Sequence, residues 1–308
     1  MEYVILRNGV KMPKLGFGVF QISKEECEQC VLEAIKIGYR HIDTAQSYCN
    51  EEEVGNAIHK CGIPREELFI TTKVWIDNYG YEKAKQSVLT SMEKLKVDYI
   101  DLVLLHQPFN DYYGAYRALQ ELYKEGKIKA IGVSNFAPDR LADIVGFHEI
   151  APHVNQIETN PFHQQIEAQQ QMVKRNVQME AWAPFGEGKQ DMFNHPVLKE
   201  IGQRYHKTIA QVILRWLMQR DIVALAKSIH PHRMAENIDI FDFVLSDEDM
   251  EKITTLDTKE SLFFNHQNAD TVDMFINLVT IRKTNNIIRV WNNSYPYYLM
   301  FFICTHIC

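Results

Sequence analysis

No run of apolar residues in this chain reaches the roughly 18 that a bilayer span requires, so no membrane association is expected. The longest candidate, Tyr297 to Cys304, is far too short. The opening stretch MEYVILRNGVKMPKLG lacks the apolar core and small-residue cleavage site of a secretory signal. A cytoplasmic protein with reduced thiols is therefore expected. The six cysteines, Cys27, Cys30, Cys49, Cys61, Cys304 and Cys308, form no regular framework, and a chain of 308 residues has no need of disulfides to complete its core. Cys27 and Cys30 make a single C-x-x-C inside a helical pattern with no second pair, so no metal site is expected. Positive charge is in deficit, with 33 Lys and Arg against 40 Asp and Glu and a net charge of −7. That balance argues against a nucleic-acid binder and means that any anionic ligand needs a local cluster of cations. There is no linker, low-complexity tract or charge run to divide the chain.

Short apolar runs alternate with helical patterns. Tyr3–Leu6 and Val10–Met12 flank Asn8-Gly9, a pair that favours a type I′ hairpin turn. Such a hairpin is marginal alone and is expected to lie against one end of a larger body. Strand candidates follow at Leu15–Gly18, Tyr39–Asp43, Phe69–Lys73, Ile100–His106, Ala130–Ser134, Val154–Glu158, Val177–Trp182 and Ile222–Lys227, separated by helical stretches. The first helix carries a possible capping box, Ser23 with Glu26, and apolar positions at Cys27, Cys30, Val31, Ala34 and Ile35. A second runs from about Glu51 to Lys60, and a third shows Ala84, Val88, Met92 and Leu95 on one stripe. Strict alternation implies parallel strands. Eight units suit a closed barrel, with a doubly wound open sheet as the rival. No Gly-x-Gly-x-x-Gly follows the first strand, which weakens the rival reading. Residues 1–283 read as one barrel domain. From 284 to 308 the chain is rich in aromatics with Arg289 as its one charge, an atypical tail that suits a pocket flap, a partner segment or a poorly ordered extension.

In a parallel barrel the active site lies at the C-terminal strand ends. There the second strand presents Asp43, with Tyr48 in the loop beyond it, the third presents Lys73 and the fourth His106. A carbonyl that accepts hydride becomes an alkoxide and needs a proton. A tyrosine with its pKa of about 10 is a reluctant donor at neutral pH, and a neighbouring ammonium is expected to lower that pKa. Asp43 is suited to hold Lys73 charged, and His106 to stabilise negative charge on the substrate oxygen. Singly, each has a plainer explanation as cap, surface charge, core histidine or packing residue. Together they suit carbonyl reduction, with another acid–base reaction still open.

The blocks GYRHIDTAQSYCNEEEVG, FITTKVW, DLVLLHQP, AIGVSNF, VNQIETNP and AKSIHPHRMAEN resemble, in order, those of the aldo-keto reductase family, particularly its bacterial diketogluconate reductase-like members. The resemblance covers roughly residues 3 to 265. It implies a (β/α)₈ TIM barrel with the N-terminal hairpin closing the bottom, and NADPH-dependent reduction of an aldehyde or ketone. It also implies a catalytic quartet of Tyr48, Asp43, Lys73 and His106. Members that reduce steroid double bonds have Glu in place of that histidine. By the same resemblance Ser134, Asn135 and Gln156 hold the nicotinamide carboxamide and Trp182 stacks on the ring. Lys227, Ser228 and Arg233 surround the adenosine 2′-phosphate, while Glu236 and Asn237 contact the adenine. Two cations beside that phosphate favour NADPH over NADH. Phe20, Trp75 and His106 are expected to contact substrate, with Phe20, Trp75 and Tyr48 forming an apolar wall.

The chain departs from the family at Leu225-Ala226-Lys227, where Ile-Pro-Lys is frequent, and at Ala183-Pro184-Phe185, where Ser-Pro-Leu is common. Phe20 and Gln107 stand where many members have Trp. These changes bear on pocket shape and leave the substrate open. The loop Gly186-Glu187-Gly188-Lys189 lies where the family covers the cofactor pyrophosphate. The short segment after Asp257 suggests an open pocket. A monomer is the family default, and the partners implied are a small-molecule carbonyl substrate and NADPH. A barrel that binds NADPH without catalysis, as a redox sensor or regulatory subunit, is the alternative.

Overall fold

The structure, a computed structural model, describes residues 1–284, so the 284–308 tail lies outside the described residues except for Thr284. Two short strands, β1 (Tyr3–Ile5) and β2 (Lys11–Pro13), pair antiparallel. Their turn differs from the expected type I′. The Gly9 N–H donates to Leu6 C=O at 2.8 Å, and Gly9 is left-handed at φ 86° while Arg7 and Asn8 are not. Glycine is thus used at a bulge position after a four-residue turn. Val4, Leu6 and Met12 of the hairpin pack against Phe69, Leu102, Ala130 and Val223. Phe69 and Val223 begin their strands, so the hairpin closes the N-terminal end of the barrel.

Eight parallel strands follow: β3 (Leu15–Gly18), β4 (His41–Asp43), β5 (Phe69–Val74), β6 (Ile100–Leu105), β7 (Ile128–Ser134), β8 (Val154–Glu158), β9 (Gln178–Trp182) and β10 (Val223–Ala226). They close in the order β10-β3-β4-β5-β6-β7-β8-β9, which leaves the barrel without a sheet edge. Ile100–Leu105 is buried throughout, as the crossover helices on the outside require of a parallel strand. Gly16 makes room inside the ring. A Cβ there would lie 2.6 Å from Leu225 and 2.7 Å from the His41 imidazole.

The crossovers are α1 (Lys24–Ile37), α2 (Glu51–Lys60), α3 (Tyr81–Leu95), α4 (Tyr112–Lys124), α5 (Pro138–Phe147) and α6 (Ile166–Lys174), and then the pair α7 (Pro196–Tyr205) and α8 (Ile209–Gln219) between β9 and β10. The buried stripe of α1 is the expected one, Cys27, Cys30, Val31, Ala34 and Ile35. Its capping box does not form. The Ser23 hydroxyl donates to the Glu26 carboxylate at 3.1 Å instead of accepting from a helix N–H. A full box closes α8, between Thr208 and Gln211. On α3 the buried positions are Ala84, Val88, Ser91 and Leu95, with Met92 only partly buried beside them.

After β10 come α9 (Pro231–Ile238), α10 (Asp247–Thr254) and α11 (Ala269–Thr284). The last corrects the expectation of an open pocket. Phe275 and Leu278 of α11 are 3% and 6% exposed, and the Phe275 ring lies 5.9 Å from Trp75 and 5.3 Å from Phe109. The chain after Asp257 therefore folds back over one side of the barrel mouth.

Candidate active site

The register of the ring brings the polar strand ends to one rim. Asp43 ends β4, Lys73 is next to last in β5, and His106 follows the last residue of β6. Lys73 Nζ donates to Asp43 Oδ1 at 2.5 Å, to Thr44 C=O at 3.0 Å and to the Tyr48 hydroxyl at 3.3 Å. Tyr48 comes from a short turn, Gln46–Tyr48, and its ring lies 5.7 Å from the His106 ring at 77°. Ser47 Oγ is 3.3 Å from His106 Nδ1 and orients the imidazole. The four residues of the expected quartet thus come together.

Gln46 fixes the turn that carries Tyr48. Its Oε1 accepts from Trp75 N–H at 3.0 Å and Asn78 Nδ2 at 2.9 Å, while Nε2 donates to Ser87 at 3.1 Å and Ser91 at 3.2 Å. One amide binds the loop after β4 to the end of β5 and to α3.

The electrostatics differ from the expectation in one respect. Burial pushes the Tyr48 phenol above its ordinary pKa, and Asp43 and Glu180 push it the same way. The attraction and hydrogen bond of Lys73 pull it down without cancelling the rise. Burial also works against the Lys73 ammonium, but Asp43, Tyr48 and Glu180 together more than offset it and its pKa is raised. Burial raises the Asp43 carboxyl against the pull of Lys73. An ion pair so enclosed depends on its geometry, since removing either partner strands a buried charge.

Further round the rim, Asn135, left-handed at φ 65°, is a hub. Its Nδ2 donates to His106 C=O at 3.1 Å and to Ser134 Oγ at 3.2 Å, and its Oδ1 accepts from Trp182 Nε1 at 2.9 Å. Gln156 Nε2 donates to Asp43 Oδ2 at 3.0 Å and to Glu180 Oε2 at 2.9 Å.

These groups line a cavity of about 510 Å³. Asp43, Tyr48, His106, Ser134, Asn135, Gln156 and Trp182 contribute to its wall, as do Lys227 and Arg233. Among the described residues, neither of these two cations is paired with a carboxylate. Ser228, Glu236 and Asn237 do not line it. The Ser228 hydroxyl accepts from His230 N–H at 3.0 Å, Glu236 accepts from Thr208 Oγ1 at 2.9 Å, and Asn237 is buried on α9. Phe20 lines the cavity with its ring 5.0 Å from Tyr48. Trp75 does not. It is fully buried behind the wall, its ring 5.1 Å from His106.

Sequence reasoning missed the other side of the pocket. Phe263, Phe264 and Phe275 line it from the segment after Asp257. Glu158, at the end of β8, anchors that segment by accepting from Ser261 Oγ at 2.5 Å and Leu262 N–H at 2.9 Å. The expected pyrophosphate loop reaches the same segment, with Lys189 Nζ donating to Leu262 C=O at 2.6 Å and lying 4.1 Å from the Phe263 ring centre. Phe263 in turn packs on Trp182 with ring centres 5.1 Å apart. The aromatic run Phe263-Phe264 was the available signal, but nothing local tells a chain segment to fold back over a rim.

Comparison with known proteins bears on this site directly. A model of the aldo/keto reductase family matches residues 14–258. The chain is 48% identical over 261 residues to the glyoxal reductase of Bacillus subtilis strain 168, covering 84% of this chain and 94% of that protein. It is 40% identical over 260 residues to the methylglyoxal reductase DkgA of Escherichia coli K12, covering 83% and 94%. The crystal structure of the Bombyx mori aldo-keto reductase in complex with NADP matches with a TM-score of 0.83 at 31% identity, covering 87% of this chain and 99% of that one. The family match ends at residue 258, so the aromatic side of the pocket is built from residues beyond it.

Proposed function

The chain belongs to the aldo/keto reductase family, and on that premise we propose that Tyr48 is the proton donor in its reduction of uncharged aldehydes and ketones. The protein is an oxidoreductase that reduces a carbonyl group to an alcohol with NADPH. Its likeness to proteins named as reductases supports catalysis and not a cofactor-sensing role.

The observation that carries the reading is Lys73, which bonds at once to Asp43 at 2.5 Å and to the Tyr48 hydroxyl at 3.3 Å. Asp43 keeps Lys73 charged, and Lys73 stabilises the phenolate that remains when Tyr48 gives up its proton. The high pKa that burial imposes on Tyr48 is compatible with this role, because an alkoxide is more basic than a phenolate. His106, oriented by Ser47, polarises the carbonyl and stabilises charge developing on its oxygen.

The residues present fit NADPH. Lys227 and Arg233 line the cavity, form no ion pair among the described residues and suit the 2′-phosphate, with Ser228, Glu236 and Asn237 close by on the same segment. Ser134, Asn135 and Gln156 suit the carboxamide, and Trp182 the face of the nicotinamide ring. When bound, NADPH supplies the hydride.

The pocket favours an uncharged substrate. Lys227 and Arg233 follow β10, while His106 follows β6, four strands away around an eight-strand ring. Near Tyr48 and His106 the cavity is lined by Phe20, Phe264, Phe275 and Gln107, and among the described lining residues the only Lys or Arg are Lys227 and Arg233. Small dicarbonyls such as those of the relatives' names, and aromatic aldehydes, suit this wall better than keto acids or sugar acids. We read residues 1–283 as one catalytic domain and the enzyme as a cytoplasmic monomer. A panel of glyoxal, methylglyoxal, benzaldehyde and 2-keto acids, run with NADPH and NADH, tests the proposal. Highest kcat/KM for the uncharged aldehydes with NADPH supports it, and a preference for keto acids contradicts it.

A further inference from the structure

The barrel interior holds an acid that the reaction above does not use. Glu180 sits in the middle of β9, two residues before Trp182, and is fully buried. Its Oε2 accepts from Gln156 Nε2 at 2.9 Å, and the same nitrogen donates to Asp43 Oδ2 at 3.0 Å. Both N–H groups of the Gln156 amide are thereby committed to carboxyl groups. Reversing the amide would put its oxygen against the Asp43 carboxylate, which is paired with Lys73 and can only accept, so Asp43 determines the orientation. Gln156 lines the cavity, and among the described residues nothing donates to its Oε1.

We propose that Glu180 is a positioning residue of the cofactor site, which with Asp43 locks the Gln156 amide so that its oxygen is offered to the nicotinamide carboxamide and whose own charge is felt by the nicotinamide ring. This rests on the reading that Gln156 holds the carboxamide. A carboxamide presents an N–H₂, and an amide oxygen of set direction is the acceptor it needs.

The charge of Glu180 is conditional. Burial, reinforced by the Asp43 charge, pushes its pKa up to about 8 against the pull of Gln156 and Lys73. The other ionisable groups around it are Asp43, Lys73 and Tyr48, and His41, whose Nε2 lies 3.7 Å from Glu180 Oε1 and which burial and Lys73 keep neutral. Near neutral pH Glu180 is a carboxylic acid, and the Lys73–Asp43 pair is balanced. Above its pKa it adds one negative charge near the ring.

The nicotinamide ring of NADP⁺ carries a positive charge that NADPH lacks, and the phosphates of the two are the same. The ratio of their dissociation constants therefore isolates charge beside the ring. Calorimetric titration of wild type, Glu180→Gln, Glu180→Leu and Gln156→Ala with both nucleotides, from pH 6.5 to 9.5, is the test, with thermal melts to confirm folding. In wild type the preference for NADP⁺ over NADPH is expected to grow about tenfold as pH rises. In Glu180→Gln the ratio should lose this dependence while NADPH affinity stays within about threefold, because an amide oxygen still accepts from Gln156. Glu180→Leu should weaken NADPH about tenfold. If Glu180→Leu does not fold, the Glu180→Gln ratio decides. The same pH dependence in wild type and Glu180→Gln overturns the proposal, as does wild-type NADPH affinity in a folded Glu180→Leu. Gln156→Ala separates the two levels. If it binds NADPH as wild type does, the carboxamide reading itself fails. If it weakens NADPH while the Glu180 variants behave as wild type, only the inference about Glu180 fails.

Discussion

Lys73 donates a hydrogen bond to the Tyr48 hydroxyl across 3.3 Å from a position with no solvent exposure. No water competes for the ammonium, so its charge acts on the phenol at low effective dielectric. Exchanging Lys73 for Met removes the cation that stabilises the phenolate and strands Asp43. We expect kcat to fall by about 10² to 10⁴-fold and stability by about 3–5 kcal/mol. Steady-state kinetics and urea unfolding of Lys73→Met measure the two losses. Unchanged kcat would separate Lys73 from the proton transfer.

Cofactor choice is proposed to rest on Lys227 and Arg233, which line the cavity. Charge-assisted hydrogen bonds to a phosphate contribute about 1.5–3 kcal/mol each. Lys227→Ala and Arg233→Ala should each lower kcat/KM for NADPH by about 10 to 100-fold and leave NADH use nearly as it was. Equal losses with both nucleotides would place these cations elsewhere than at the 2′-phosphate.

Phe264 belongs to the pocket wall and not to the reaction. Phe264→Ala is expected to raise KM for benzaldehyde by about tenfold, the value of roughly 1.4 kcal/mol of lost apolar contact. Glyoxal, too small to fill the wall, should be little affected, and kcat should hold for both. Phe275 is more deeply set, at 3% exposure, and Phe275→Ala should cost about 3–5 kcal/mol of stability. Denaturant unfolding and a two-substrate comparison check these effects. Equal KM changes for both aldehydes would remove Phe264 from substrate selection.

His41 and His266 set an acid limit to stability. Burial lowers both from 6.5 to about 3. Between those values the unfolded chain binds the proton that the folded chain refuses. Stability is therefore lost as pH falls through this window, at about 1.4 kcal/mol per pH unit for each histidine. Glu180 runs the other way, since its folded pKa of about 8 lies above the ordinary 4.5 and its contribution is lost as pH rises towards 8. His266 stacks among Phe109 and Phe275, and its Nε2 has no hydrogen-bond partner among the described residues. His266→Phe should flatten the acid slope by one proton's worth and raise stability near pH 6. Melting curves from pH 4 to 7 test this, and an unchanged slope contradicts it.

Much of the site was legible because barrel geometry is periodic. Apolar runs of strand length placed Asp43, Lys73 and His106 at successive strand ends, and parallel pairing then forced them to one rim. The bounds of β3 and β8 came out as read. What escaped were features set by distant contacts. Trp75 follows its strand directly, yet it is packed behind His106 by α11. Phe263 and Phe264 are held at the pocket by distant partners, Glu158 and Lys189, that bond Ser261 and Leu262. Glu180 is locally one more strand residue, and its tie to Asp43 through Gln156 exists only in the closed ring. The net pKa of Tyr48 escapes the sequence for a similar reason. Proximity to Lys73 is readable from order along the chain, but the burial that outweighs it is not.

The account turns on the hydroxyl of Tyr48, and Tyr48→Phe tests it most directly. The ring and its contact with Phe20 are retained, and the hydroxyl is removed, with the proton it gives and the hydrogen bond it accepts from Lys73. NADPH oxidation with methylglyoxal and NADPH affinity by quenching of tryptophan fluorescence should be measured on the same preparation. The expected result is a fall in kcat of at least about 10²-fold with NADPH affinity within about twofold of wild type. Near-normal turnover in Tyr48→Phe would contradict the assignment of the proton donor.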